Sequence, residues 1–219
     1  MQQKFGLNIP RTLEEICDPT RMALLVYDMQ VGVVSQIRNG PEITSRVLRL
    51  LQAAREGGFR VFFNRYMTLP KEVAGVSQLR MAMDWQHVDS IDKIQPRFLR
   101  DSPEFQIVSE LSPLTSEAVF DRITMSAFEG TPLNMVLRDC GINAFVIAGV
   151  ATEVGIEPTV RHAADLGYIP VIATDACGAG HEAAAQRSLD SLRFAGNAVM
   201  TDTDKICGIF RRQPTKSAH

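Results

Sequence analysis

Residues 22–28 read MALLVYD, six apolar or aromatic side chains in a row closed by one carboxylate. A strand with one wet face alternates apolar and polar residues. An unbroken run of this length instead predicts a strand covered on both faces, as parallel sheets require. The next segments agree. Pro41–Glu56 sets Ile43, Val47, Leu50, Leu51 and Ala54 at helical spacing and stops at Gly57-Gly58. Phe59–Asn64 predicts a second strand. Strand, helix and strand in that order form the unit of a parallel sheet with right-handed crossovers.

The same rhythm returns further along. Ala118–Asp121 predicts a short strand, and Thr131–Cys140 a helix with Thr131 as N-cap and Pro132 in the first turn. Ala144–Gly149 is an apolar strand, Glu153–Leu166 a helix closed by Gly167, and Ile169–Ala173 another strand. Gly180–Phe194 predicts a helix and Ala198–Thr201 the last strand. The fold class is therefore α/β, a three-layer αβα sandwich with a mostly parallel six-stranded sheet. In such sheets ligands bind beyond the carboxyl ends of the strands, where the strand order reverses.

Residues 65–117 break the rhythm. Pro70, Pro96, Pro103 and Pro113 interrupt them, and they hold the single tryptophan, Trp85. Val73–Trp85 is a helix candidate, and the stretch as a whole predicts flaps beside the pocket. Residues 1–20 are polar with two prolines and read as an arm over the surface. The domain then spans 21–205, followed by a C-terminal tail at 206–219.

Composition removes several function classes. A chain of 219 residues with 45% hydrophobic and 22% charged residues suits one globular domain. The net charge is −2 and no basic cluster with interleaved aromatics occurs, which argues against nucleic acid as a partner. The apolar runs are strand-sized, short of the ~20 residues that cross a membrane. The opening MQQKFGLNIPRTLEE lacks the apolar core of a secretion signal, so a cytoplasmic location is expected. Cys17, Cys140, Cys177 and Cys207 show no C-x-x-C spacing. Reduced thiols are the reading, with no zinc and no other cofactor.

Three strand ends could carry chemistry. Asp28 ends a buried strand, where a low-dielectric wall moves a carboxyl's pKa. Taken alone it serves equally well as a loop aspartate capping a backbone donor. Arg122 follows the strand at 118–121. Gly149-Val-Ala-Thr-Glu-Val-Gly155 is a small-residue turn entering a helix, a place for an anion or oxyanion, although such turns are common in α/β proteins. Gly-x-Gly-x-x-Gly is absent, so no dinucleotide or P-loop reading follows.

LLVYDMQ, RITMSAFEGTPLNMVLRDCGI and VIAGVATEVGIEPTVRHAADLGY together resemble the isochorismatase-like hydrolases, also called cysteine hydrolases, over residues 22–201. That family includes nicotinamidases, N-carbamoylsarcosine amidases and the isochorismatases. Its amidases use an aspartate, a lysine and a cysteine, and motif alignment puts these on Asp28, Arg122 and Gly155. The resemblance also implies a cis peptide at Val150–Ala151, an oxyanion hole from the N–H groups of Ala151 and Gly155, and a supporting site for Gln30. It implies a homo-dimer or homo-tetramer acting on a small-molecule substrate.

Two departures shape the functional reading. Without a thiol at 155 the acyl-enzyme route is closed, since no other nucleophile holds that position. Isochorismatases, which cleave a vinyl ether by protonation and water attack, are similar in having glycine there. Arg122 is permanently charged, and contact with Asp28 would favour the carboxylate, suiting a base that activates water. Arg122 could equally bind a substrate carboxylate or form a structural ion pair. Nicotinamidases bind a metal through Asp-x-His after the second strand, whereas Asn64-Arg-Tyr-Met-Thr-Leu-Pro70 has no such motif, so no metal is expected. His87 could meet substrate, with Trp85, Met81 and Met83 as a roof. His162 and His181 read as helix-surface residues, and His219 as terminal. The expectation is a hydrolase of a small organic acid, vinyl ether or amide with Asp28 as general acid/base. A family member that binds ligand without turnover is the alternative.

Overall fold

A computed structural model describes residues 1–212. The chain opens with a hairpin, β1 (Gln2–Lys4) and β2 (Leu7–Ile9), paired antiparallel and exposed throughout. Helix α1 (Leu13–Ile16), capped by the Thr12 side chain, leads to β3 (Met22–Tyr27). Then come α2 (Val31–Val34), α3 (Gly40–Glu56), β4 (Arg60–Tyr66), α4 (Val76–Gln86) and β5 (Ala118–Arg122). The second half holds α5 (Leu133–Asp139), β6 (Ala144–Val150), α6 (Glu157–Asp165) and β7 (Ile169–Gly178). It closes with α7 (Glu182–Ala195), β8 (Val199–Thr201) and α8 (Thr203–Phe210).

Six strands form one parallel sheet in the order β5-β4-β3-β6-β7-β8. The unbroken apolar run of β3 has a direct cause in this arrangement. Met22, Leu24 and Val26 point into a core closed by α3 and α8. Ala23, Leu25 and Tyr27 point into a second core closed by α5, α6 and α7. Each face of the sheet is roofed by helices, so every side chain of the central strand must be apolar. This is the three-layer sandwich that the sequence predicts. None of the helices among the described residues is long and apolar enough to cross a membrane.

Several boundaries differ from the sequence reading. The helix expected from Glu153 is split: Thr152–Ile156 form a π-helical turn before α6 begins. Strand β7 runs on to Gly178, with a register irregularity opposite Ile147–Gly149. The arm at 1–20 is an exposed hairpin, its N-terminal ammonium paired with Glu15, followed by a segment that enters the core through Ile16 and Cys17. The tail assigned to 206–219 begins too early. Asp202 caps α8, and Ile206, Cys207, Ile209 and Phe210 are buried, so the domain continues through residue 210. Residues 213–219 of that tail, His219 included, lie outside the described residues.

Phe210 stacks on Phe59 at 4.0 Å between centroids and has no exposed surface. Phe210→Ala is expected to lower the unfolding free energy by about 3–5 kcal/mol, read by urea denaturation. A loss below about 1 kcal/mol would place α8 outside the core.

Candidate functional site

The chain leaves β3 for β4 and β5 on one side and later builds β7 and β8 on the other side of β6. Strands β3 and β6 therefore flank the switch point, and the crevice past their carboxyl ends is where this architecture exposes backbone and side chains to a ligand. A cavity of about 760 Å³ opens there. Tyr27, Asp28, Val150, Ala151 and Gly155 line one side of it, and Leu79, Met81 and Trp85 of α4 also border it.

Asp28 follows β3 directly, and its φ of 47° turns the chain out of the strand. Its N–H donates to Asn64 O at 3.2 Å, which fixes the turn to the end of β4. The carboxyl is buried. Oδ2 accepts from Arg122 Nη2 at 2.6 Å, while Oδ1 has no hydrogen-bond partner among the described residues. Arg122 is the last residue of β5, two strands from Asp28, so its long side chain reaches past the end of β4. Its Nη1 donates to Thr124 O, and its guanidinium lies 4.4 Å from the Tyr27 ring centroid. Burial pushes the Asp28 carboxyl up to about 6, and the opposing pull of the Arg122 guanidinium does not cancel it.

Arg122 does not line the cavity and is only 3% exposed. Of the roles open to it, holding Asp28 fits this placement and direct capture of a substrate carboxylate does not. Gln30, expected to support the site, is likewise not among the residues that line the cavity. Its Nε2 donates to Tyr66 O and Phe105 O, each at 3.0 Å, and its Oε1 accepts from Tyr66 N–H at 2.7 Å. With its amide spent on backbone, Gln30 ties the end of β4 to the segment around Phe105.

The turn after β6 brings Ala151 and Gly155 to the cavity wall, and the Val150–Ala151 peptide is cis. Gly155 N–H donates to Ala151 O at 3.0 Å, so one of the two expected oxyanion donors is engaged within the turn. Thr152 Oγ1 donates to Gly178 O at 3.0 Å and anchors the turn to β7. None of the four cysteines lines the cavity. Burial pushes the Cys17 and Cys177 thiols up to about 12. No group of three or more His, Cys, Asp or Glu among the described residues is placed to hold a metal ion.

Of the proposed roof, Trp85 and Met81 line the cavity and Met83 does not, and His87, expected to meet substrate, lines it too. Tyr27 and His181 are among the lining residues that escaped the sequence reading. Tyr27 passed as core, its only signal being a hydroxyl at the last position of an apolar strand. His181 passed as surface. It caps α7 through Nδ1, which accepts from Ala184 N–H at 3.3 Å, and its own N–H donates to Glu153 Oε1 at 2.7 Å. His162 instead pairs with Ser126 Oγ at 2.9 Å, away from the cavity.

The raised pKa of Asp28 has a defined consequence for stability. Between its ordinary value of 3.8 and its native value of about 6, the native state holds a proton that the unfolded state has lost. The contribution is complete below that window and disappears as pH rises through about 6. In urea denaturation, the stability of wild type relative to Asp28→Asn is expected to fall across this window by up to about 3 kcal/mol. A relative stability that rises with pH would show that the Arg122 charge outweighs burial.

The isochorismatase domain model matches residues 22–204. The ureidoacrylate amidohydrolase RutB of Serratia proteamaculans is 28% identical over 232 residues, covering 94% of this chain and 90% of that protein. YecD, an isochorismatase family protein of Escherichia coli, is 30% identical over 161 residues, covering 72% and 79%. The crystal structure of a cysteine hydrolase from Pseudomonas syringae superposes with a TM-score of 0.78 at 23% identity, covering 91% and 96%. The match of the domain model takes in the whole sheet and both strand ends that border the cavity, and on that ground the chain belongs to the isochorismatase family.

Proposed function

We propose that this chain hydrolyses a small amide or related organic acid by direct water attack, with Asp28 as the general base and no covalent intermediate. The observation that carries the reading is the Asp28 carboxylate. Oδ2 is held by Arg122, Oδ1 is buried without a hydrogen-bond partner among the described residues, and the residue borders a cavity that no cysteine lines. A carboxyl with a pKa of about 6 is mostly ionised at neutral pH and takes a proton from water readily. The water oxygen adds to the substrate carbonyl as its proton passes to Asp28. The same proton then goes to the departing nitrogen, so acid and amine form and the carboxylate is restored. Ala151 N–H at the cavity wall is the donor assigned to the developing oxyanion. The amide preference draws on the similarity to ureidoacrylate amidohydrolase, and a vinyl ether is the other substrate class.

Arg122 acts in this scheme as a positioning group that fixes the rotamer of Asp28. The assembly proposed is a homo-dimer or homo-tetramer. Trp85 on α4 and Phe5 at the hairpin tip support it, since both are more than half exposed.

A second reading, ligand binding without turnover, draws on the loss of both lysine and cysteine from the positions now held by Arg122 and Gly155. One assay set separates the two. On a panel of ureido acids, small amides and vinyl ethers, Asp28→Asn is expected to lower kcat/KM by about 10²–10⁴-fold. The wild-type rate is expected to rise with pH through about 6 to a plateau. A rate that falls through the same window assigns Asp28 as an acid and favours the vinyl ether. A wild type that turns over nothing, yet is stabilised by a panel member in thermal shift, leaves the binding reading.

A further inference from the structure

Position 155 has no room for a side chain. A Cβ there would lie 2.5 Å from both Cε1 and Cζ of Tyr27, and closer still to its Oη. Carbon atoms in ordinary contact sit about 3.5–4.0 Å apart. A clash with the tip of a mobile side chain is relieved by a small rotation, but Tyr27 is not mobile. It is 1% exposed and sits on the central strand, paired with β4 on one side and β6 on the other. Its hydroxyl donates to Met125 O, and the Arg122 guanidinium lies 4.4 Å from its ring centroid. Burial also holds the hydroxyl well above the usual phenol range, so it remains a neutral phenol.

We propose that Tyr27 is the residue that decides which chemistry this site can perform: its side chain fills the space that any side chain at 155 would need, and its ring holds the Arg122 guanidinium against Asp28. Tyrosine at 27, glycine at 155 and arginine at 122 then form one coupled set. With Tyr27 present, position 155 cannot carry a nucleophile, and the cation beside Asp28 is one whose planar face stacks on a ring better than an ammonium does. Tyr27 is accordingly a positioning residue for Arg122 and Asp28. The consequence for chemistry rests on the reading of water-based hydrolysis. The coupling itself does not, and it is measured on the folded protein without substrate, so the two fail separately.

Thermal denaturation and a carbon-13 NMR titration of the Asp28 carboxyl test the coupling. Gly155→Ala is expected to lower Tm by about 5 °C or more in the wild-type background and by less than about 2 °C in a Tyr27→Leu background, where the space is open. Equal losses in the two backgrounds overturn the steric half. Should Tyr27→Leu not fold, Gly155→Ala alone decides, because a loss under about 1 °C overturns it equally. In the titration, Tyr27→Phe keeps the wild-type midpoint, since the ring remains under Arg122. Tyr27→Leu is expected to raise it by about half a unit or more, because a less well held guanidinium favours the carboxylate less. A midpoint unchanged in Tyr27→Leu, or displaced as far in Tyr27→Phe, overturns the positioning half.

Discussion

Arg122 and Asp28 meet at 2.6 Å across the ends of three strands, with both side chains nearly out of water. Removing two charges from water costs several kcal/mol per ion, and the attraction between them offsets this only when geometry and further hydrogen bonds are good. Here the guanidinium also bonds to Thr124 O and stacks on Tyr27. The pair therefore constrains its surroundings. Strand β5 must end at the right height for Arg122 to pass β4, and β3 must turn sharply at Asp28. The Asn64 carbonyl and the amide of Gln30 fix that corner from the β4 side.

In the proposed scheme the same corner supplies the chemistry. Oδ2 of Asp28 is committed to Arg122, and Oδ1 is buried without a hydrogen-bond partner among the described residues. Burial keeps the carboxyl protonatable near pH 6 despite the neighbouring cation. Opposed influences of this kind tune an acid–base group more finely than either burial or charge alone. Helix α4 also borders the cavity and contributes no buried residue of its own. The cavity thus lies between the carboxyl ends of the two central strands and a surface helix.

Gly155 gains its meaning from Tyr27. Viewed along the chain, a glycine in a turn is a backbone matter. In the fold it is a contact between two elements 128 positions apart in the sequence, as the distances to Tyr27 show. Missing chemistry at one position and added bulk at another are then two aspects of one packing solution, since a close-packed interior leaves no space for both.

The run MALLVY determined the fold by itself, because only a strand covered on both faces tolerates six successive apolar residues, and the helical spacings around it left one architecture. Asp28 and the turn at 149–155 were legible for the same local reason: they sit where strands end. The ends of elements were less so. The π-helical turn at Thr152–Ile156 and the burial of α8 depend on what packs against them, and no local pattern encodes that. The partners of polar groups were decided only by tertiary structure. Gln30 stands two residues from Asp28 and yet spends its amide on distant backbone. Arg122 and Tyr27 meet because β5 and β3 lie two strands apart in the sheet, with only β4 between them. Strand periodicity is a property of neighbours in sequence, whereas a hydrogen bond or a ring contact across a sheet belongs to neighbours in space.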